Sequence, residues 1–220
     1  MNNTNKELIY VGDPMCSWCY GFAPIKRQLE EQCTGRAQVT LIVGGLHIDW
    51  TEPQDENRRQ FLRDHWREVG ERSGQPFKLE IIEKEGFVYN TEAACRAAVT
   101  ARDMVGNADA LNFFTHLQIA FYHQNEDVTQ DDVLINQAAE FGLDKEKFAD
   151  LFPSDTMRQK TMLDFQMAQR LEVSGFPTVV VNDQHGYAYL TVGYQPYESL
   201  QQVVEAWLTD QLERDQPAAE

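Results

Sequence analysis

Two short apolar runs, residues 8–11 and 39–43, flank a stretch at residues 17–32 in which apolar and polar positions follow helical spacing, and Gly35 supplies a helix stop. The spacing predicts a strand, a helix and a second strand. Val39, Thr40, Leu41, Ile42 and Val43 read as a buried parallel strand, so the unit is expected to be βαβ. From about Glu52 the period changes to three and four, and it stays helical for more than a hundred residues. Helices are predicted at residues 57–70, at 92–105 behind Asn90 or Thr91 as cap, and at 108–124. Another is expected to open at Thr129-Gln130-Asp131-Asp132, a variant of the capping box, and to run to about Phe141, where Gly142 stops it. Further helices are expected at 145–151 and 154–171. The stripes Phe114, Leu117 and Phe121, or Leu134, Ala138 and Phe141, read as core.

Strand character returns at residues 178–181 and 187–192. The turn cluster Asn182-Asp183-Gln184-His185-Gly186 between them predicts an antiparallel hairpin. Pro196 precedes a last helix at 197–212, and residues 213–220 form a polar tail. The order is βαβ, a helical block, then ββα. An α/β fold split by an insertion accounts for strands at both ends and none between: residues 1–50 with 172–220 as a discontinuous domain, residues 51–171 as an inserted helical one.

Composition sets limits on this picture. The chain has 220 residues, 42% of them hydrophobic, enough for a substantial core. A formal charge of −16 opposes association with phosphate backbones and anionic membranes, so neither nucleic acid nor a membrane is an expected partner. No apolar run reaches membrane-spanning length, and residues 1–7 are polar, which predicts a cytoplasmic protein. In that compartment thiols stay reduced and disulfides are mostly transient and catalytic.

The candidate chemistry lies where the first strand meets its helix, in Asp13-Pro14-Met15-Cys16-Ser17-Trp18-Cys19-Tyr20-Gly21. Residues i and i+3 on a first helical turn share a face about 5 to 6 Å apart, so Cys16 and Cys19 can bridge. Cys16 is expected at the helix start, where free N–H groups favour a thiolate, and Cys19 deeper. This predicts Cys16 as nucleophile and Cys19 as resolving thiol. The zinc alternative lacks its second half: Cys33 and Cys95 stand apart, the five histidines form no ligand pair, and no metal is expected. Cys33, ending the first helix, and Cys95, among alanines, read as small buried hydrophobes.

With Gly175-Phe176-Pro177-Thr178 entering the last strands, these features resemble the DsbA-type thioredoxin-fold family across nearly the whole chain. Tyr89-Asn90-Thr91 and Ala120-Phe121-Tyr122 are similar to its cytoplasmic FrnE-like branch. The resemblance implies a thioredoxin-like fold with a large helical insertion, thiol-disulfide exchange on protein or small-molecule substrates, and Pro177 as a cis-proline facing the dithiol. Trp18, Phe176 and Pro177 are the expected substrate contacts. No resident cofactor is implied, and glutathione is a candidate reductant. Periplasmic relatives carry a histidine inside the dithiol, whereas Ser17 and Trp18 bring no charge, and Asp13 opposes a thiolate. A potential less oxidising than the roughly −120 mV of DsbA is therefore expected. Kappa-class glutathione transferases and hydroxychromene carboxylate isomerases share the fold but have serine where Cys16 stands. They form the second reading, and a peptide-binding module without turnover the third. Reductase, oxidase and isomerase directions all remain open.

Overall fold

The structure, a computed structural model, describes residues 6–212; the polar tail at 213–220 and most of the polar start lie outside them. Four strands form one mixed sheet: β1 (Glu7–Gly12), β2 (Gln38–Val43), β3 (Thr178–Asp183) and β4 (Gly186–Val192). Their spatial order is β2-β1-β3-β4. β1 runs parallel to β2 with Leu8 opposite Val39, and antiparallel to β3 with Leu8 opposite Val181. β3 and β4 form the expected hairpin, with an irregularity in register between Val179 and Val180.

Between β1 and β2 the expected single helix is two: α1 (Ser17–Gly21) and α2 (Ala23–Cys33). Pro24 explains the correction. It has no N–H to give the carbonyl one turn earlier and its ring crowds that carbonyl, so the chain restarts at Phe22 with proline in the new first turn. The helical block comprises α3 (Glu56–Ser73), α4 (Glu92–Val105), α5 (Asn107–Tyr122), α6 (Asp131–Phe141), α7 (Lys145–Leu151) and α8 (Asp155–Arg170). A 3-10 turn at Glu80–Glu83, not expected, precedes α4. The chain closes with α9 (Tyr197–Leu208), shorter than expected.

Asp55, Asp144 and Ser154 cap α3, α7 and α8 with side-chain hydrogen bonds. The capping box expected at Thr129 is not formed. The Thr129 hydroxyl donates to Asp127 at 2.5 Å, and Gln130 takes the cap position without a side-chain bond. A nearer carboxylate has captured the hydroxyl.

The two faces of the sheet carry separate cores. Leu8, Tyr10, Leu41, Val43, Val179 and Val181 pack on α2, α9 and the N-terminal halves of α4 and α5. Ile9, Val11, Ile42 and Val180 pack on Ala168 and Leu171 around α8. A third core, around Trp66, Phe113, Phe121 and Phe148, lies among the inserted helices. The insertion also closes the outer edge of β2: Leu41 N–H donates to Asn107 Oδ1 at 3.1 Å and Val43 N–H to Asp164 Oδ2 at 3.0 Å. Arg102 takes the Leu41 carbonyl and grips Asp164 with two bonds of 2.7 and 2.8 Å. An edge whose polar groups are occupied this way is no longer a template for another strand.

Candidate active site: a buried dithiol between two cores

β1 ends at Gly12, and Asp13 organises the turn that leads into α1. Its Oδ1 accepts the Met15 N–H at 2.8 Å, while the Cys16 N–H donates to its carbonyl at 3.0 Å. Its Oδ2 accepts the Leu46 N–H at 2.7 Å and lies 3.3 Å from the Cys95 Sγ. Asp13 is fully buried, and burial raises its pKa against the pull of Leu46, Thr91, Met15 and Cys95. Such a carboxylate is tolerated because donors surround it. Cys95, read from sequence as a bland filler, is thus one of the groups that hold the turn.

Cys16 occupies the N-cap of α1 in extended conformation, and Tyr20 N–H donates to its carbonyl at 3.0 Å. Its Sγ stands 3.9 Å from the Phe176 carbonyl oxygen, immediately before the cis Phe176–Pro177 peptide. Cys16 keeps 5% exposure, while Cys19, in α1, keeps none. Burial pushes the Cys19 thiol well above its ordinary range; Cys16 adds to the rise, while the Tyr10 hydroxyl and the Asp13 backbone oppose it. All four cysteines are free thiols. Cys33 is buried at the end of α2, which pushes its thiol up to about 11.

The residues around the dithiol divide between two cores. Cys16 and Cys19 belong to the sheet core, whereas Met15 and Tyr20 point into the insertion core. The Met15 carbonyl accepts hydroxyl hydrogens from both Tyr89 and Tyr122, whose oxygens lie 3.0 Å apart. Thr91, beside Tyr89 in sequence, accepts the His47 N–H at 3.2 Å, and Asn90 ties the Ile48 and Trp50 carbonyls at 3.0 and 2.9 Å. The two tripeptides singled out in sequence therefore act together as a brace under the dithiol. Sequence gave no sign of this role, because Tyr89 and Tyr122 meet Met15 only across the fold.

Phe176 and buried Pro177 lie on the Cys16 side. The Phe176 ring covers Gly44 so closely that a Cβ there would lie 2.1 Å from ring carbons. Trp18 is half-buried in another wall, with its ring 5.9 Å from His65 and 5.5 Å from Tyr194. A cation packs on this wall. Arg72, on the last turn of α3, sets its guanidinium 5.5 Å from the Trp18 ring and 5.6 Å from the Tyr194 ring. The folding back of α3 creates this neighbour, which lies 54 positions beyond Trp18 and left no local signal.

A nucleophile-capable sulfur at a helix start, a second sulfur behind it, and the Phe176 carbonyl in front can support exchange with an external disulfide. A family model described as thioredoxin matches residues 9–202. The crystal structure of a candidate protein disulfide isomerase from Nitrosomonas europaea superposes with a TM-score of 0.86 at 35% identity, covering 93% of this chain and 98% of that one. The cytosolic disulfide reductase DsbM from Pseudomonas aeruginosa shares the fold with a TM-score of 0.72 at 24% identity, over 93% and 96% of the two chains. The ClpXP adapter protein SpxH from Halalkalibacterium halodurans is 25% identical over 211 residues, 93% of this chain and 68% of the relative.

Proposed function

We propose, from the premise that this chain belongs to the DsbA-type thioredoxin family whose model spans residues 9–202, that it is a thiol-disulfide oxidoreductase. Cys16 attacks a substrate disulfide, forming one S–S bond and releasing one substrate thiol. Cys19 then attacks the Cys16 sulfur, the enzyme disulfide closes, and the second substrate thiol leaves. The dithiol loses two electrons and the substrate disulfide gains them; the reverse sequence oxidises a substrate dithiol. The observation that carries this reading is the placement of the sulfurs: Cys16 at the helix cap 3.9 Å from the Phe176 carbonyl, with Cys19 fully buried behind it.

Phe176 and Pro177 on one side and Trp18 on the other are the proposed substrate contacts. An extended substrate segment would lie along the Phe176 carbonyl, as in strand addition. Glutathione is proposed as reductant, and the cytosol as the compartment; among the described residues no helix is long and apolar enough to cross a membrane. Tyr89-Asn90-Thr91 and Ala120-Phe121-Tyr122 support placing the chain in the FrnE-like branch.

The similarity to SpxH favours a second reading, a protein adapter that uses this surface without turnover. Insulin reduction and refolding of a substrate with scrambled disulfides by wild type and Cys16→Ser separate the two. Exchange that disappears in Cys16→Ser supports the oxidoreductase. Absence of exchange in wild type, with partner binding unaffected by the substitution, supports the adapter.

A further inference from the structure

Among the buried polar atoms of the sheet core, the Tyr10 hydroxyl is an anomaly. Tyr10 lies in the middle of β1 with 1% exposure, its ring stacked 6.3 Å from Phe22 and edge-on 5.6 Å from Phe114. Phenylalanine would satisfy that packing. The hydroxyl makes no hydrogen bond of good geometry, and the interaction it does have is with the Cys19 thiol; native proteins rarely bury a hydroxyl that way without a use. The ring leans along the strand over Gly12, whose missing Cβ would stand 3.0 Å from the hydroxyl oxygen. Tyr10 shares the buried sheet core with both active-site cysteines, and its hydroxyl interacts more strongly with Cys19 than with Cys16.

We propose that Tyr10 is the hydrogen-bond donor that receives the Cys19 thiolate when Cys19 resolves the mixed disulfide. This inference rests on the oxidoreductase reading. In resolution, the Cys19 S–H bond breaks, its sulfur forms a bond to the Cys16 sulfur, and the Cys16 bond to the substrate sulfur breaks. The departing substrate thiolate ends with a proton, so the step is balanced with no further reagent. Cys19 must carry negative charge on the way, and it has no exposure to water. The ionisable groups acting around this sulfur and hydroxyl are Cys16 from α1, Asp13 from the turn, Tyr89 and Tyr122 from the insertion and Glu30 from α2. None is a cation. The Tyr10 O–H, already interacting with the Cys19 thiol, is the donor placed to bond more strongly to the thiolate, and it keeps its own proton throughout.

The test has two arms. In a Cys16→Ser background, thiolate absorbance, taken as the difference from Cys16→Ser/Cys19→Ser, follows Cys19 alone. Adding Tyr10→Phe should weaken its acidity about tenfold, the effect of one hydrogen bond to a charged group. In the full dithiol protein, glutathione disulfide serves as probe and acid-quenched mass spectrometry counts the mixed disulfide. Tyr10→Phe should form it at the wild-type rate and resolve it about tenfold more slowly. Phe114→Leu loosens the ring but keeps the hydroxyl, and should leave Cys19 acidity unchanged. Unchanged Cys19 acidity in Tyr10→Phe, or an equal change in Phe114→Leu, overturns the proposal. A wild-type protein that never forms a mixed disulfide overturns the oxidoreductase reading instead, and the absorbance arm still decides Tyr10.

Discussion

The Cys16 Sγ faces the Phe176 carbonyl oxygen across 3.9 Å, and the position of that carbonyl depends on Gly44, which gives the Phe176 ring its seat. A methyl group at Gly44 would lie 2.1 Å from two ring carbons, so the ring must move. Gly44→Ala should lower disulfide exchange roughly tenfold to a hundredfold, the cost of misplacing a reacting group's neighbour by about an ångström. Steady-state insulin reduction measures it, and an unchanged rate would detach Phe176 from function.

The four cysteines should separate into two kinds. Cys16→Ser should abolish exchange, and Cys19→Ser should accumulate mixed disulfides visible by mass spectrometry. Cys33→Ala should leave turnover within a few-fold. Cys95→Ala should also leave turnover within a few-fold, but it removes a donor from buried Asp13 and should lower stability by about 1–2 kcal/mol. Urea unfolding distinguishes the last two.

Tyr89 and Tyr122 share one acceptor, the Met15 carbonyl. Tyr89→Phe or Tyr122→Phe alone leaves the other hydroxyl in place and should cost about 1 kcal/mol. The double substitution strands a buried carbonyl and should cost more than the sum, with a coupling of at least about 0.5 kcal/mol. Additive losses in a double-mutant cycle would contradict the shared brace.

Acid sensitivity should pass through His47. Burial holds its pKa down at about 4 from an ordinary 6.5; Arg58 acts in the same direction and Asp49 against it, while its ring stacks 3.7 Å from Trp50. The folded state therefore prefers neutral histidine. The resulting contribution is complete above pH about 6.5 and is lost as pH falls toward about 4, because the unfolded chain binds the proton first. His47→Gln should flatten the fall in unfolding free energy between pH 7 and pH 4.5, approximately this window. An equally steep fall in the variant would locate the sensitivity elsewhere.

Arg72 places positive charge over Trp18 on a chain of net charge −16. Exchange with glutathione disulfide, an anion, should slow in Arg72→Glu and lose much of its salt dependence, since exposed charges are screened within about 8–10 Å. A neutral disulfide probe serves as control. Equal slowing for both probes would make Arg72 a packing residue.

What the sequence made legible were features with local causes. The apolar run Leu8-Ile9-Tyr10-Val11 lies within β1, the helix expected at 92–105 is α4, and Lys145–Leu151 is α7. The dithiol and its place at a strand-to-helix junction were legible for the same reason. Pro24 was in plain view, yet helical periodicity on either side concealed the restart it forces. The capping box failed because Asp127 lay close enough to take the Thr129 hydroxyl. Arg72 over Trp18, Cys95 on Asp13, and the hydroxyls on Met15 join residues 54, 82, 74 and 107 positions apart, beyond what spacing reveals.

The grip of Asn107, Arg102 and Asp164 on the outer rim of β2 bears on any attempt to pare the protein down. A minimal redox unit made by joining β2 to β3 through a short loop would keep both cysteines but uncover the Leu41 and Val43 amides, together with the Leu41 carbonyl. Such a rim invites a strand from another molecule, and the trimmed protein would build fibres or swapped dimers more readily than it would turn over substrate. The inserted helices are thus the reason the sheet ends where it does, and a working miniature would have to carry a replacement rim of its own.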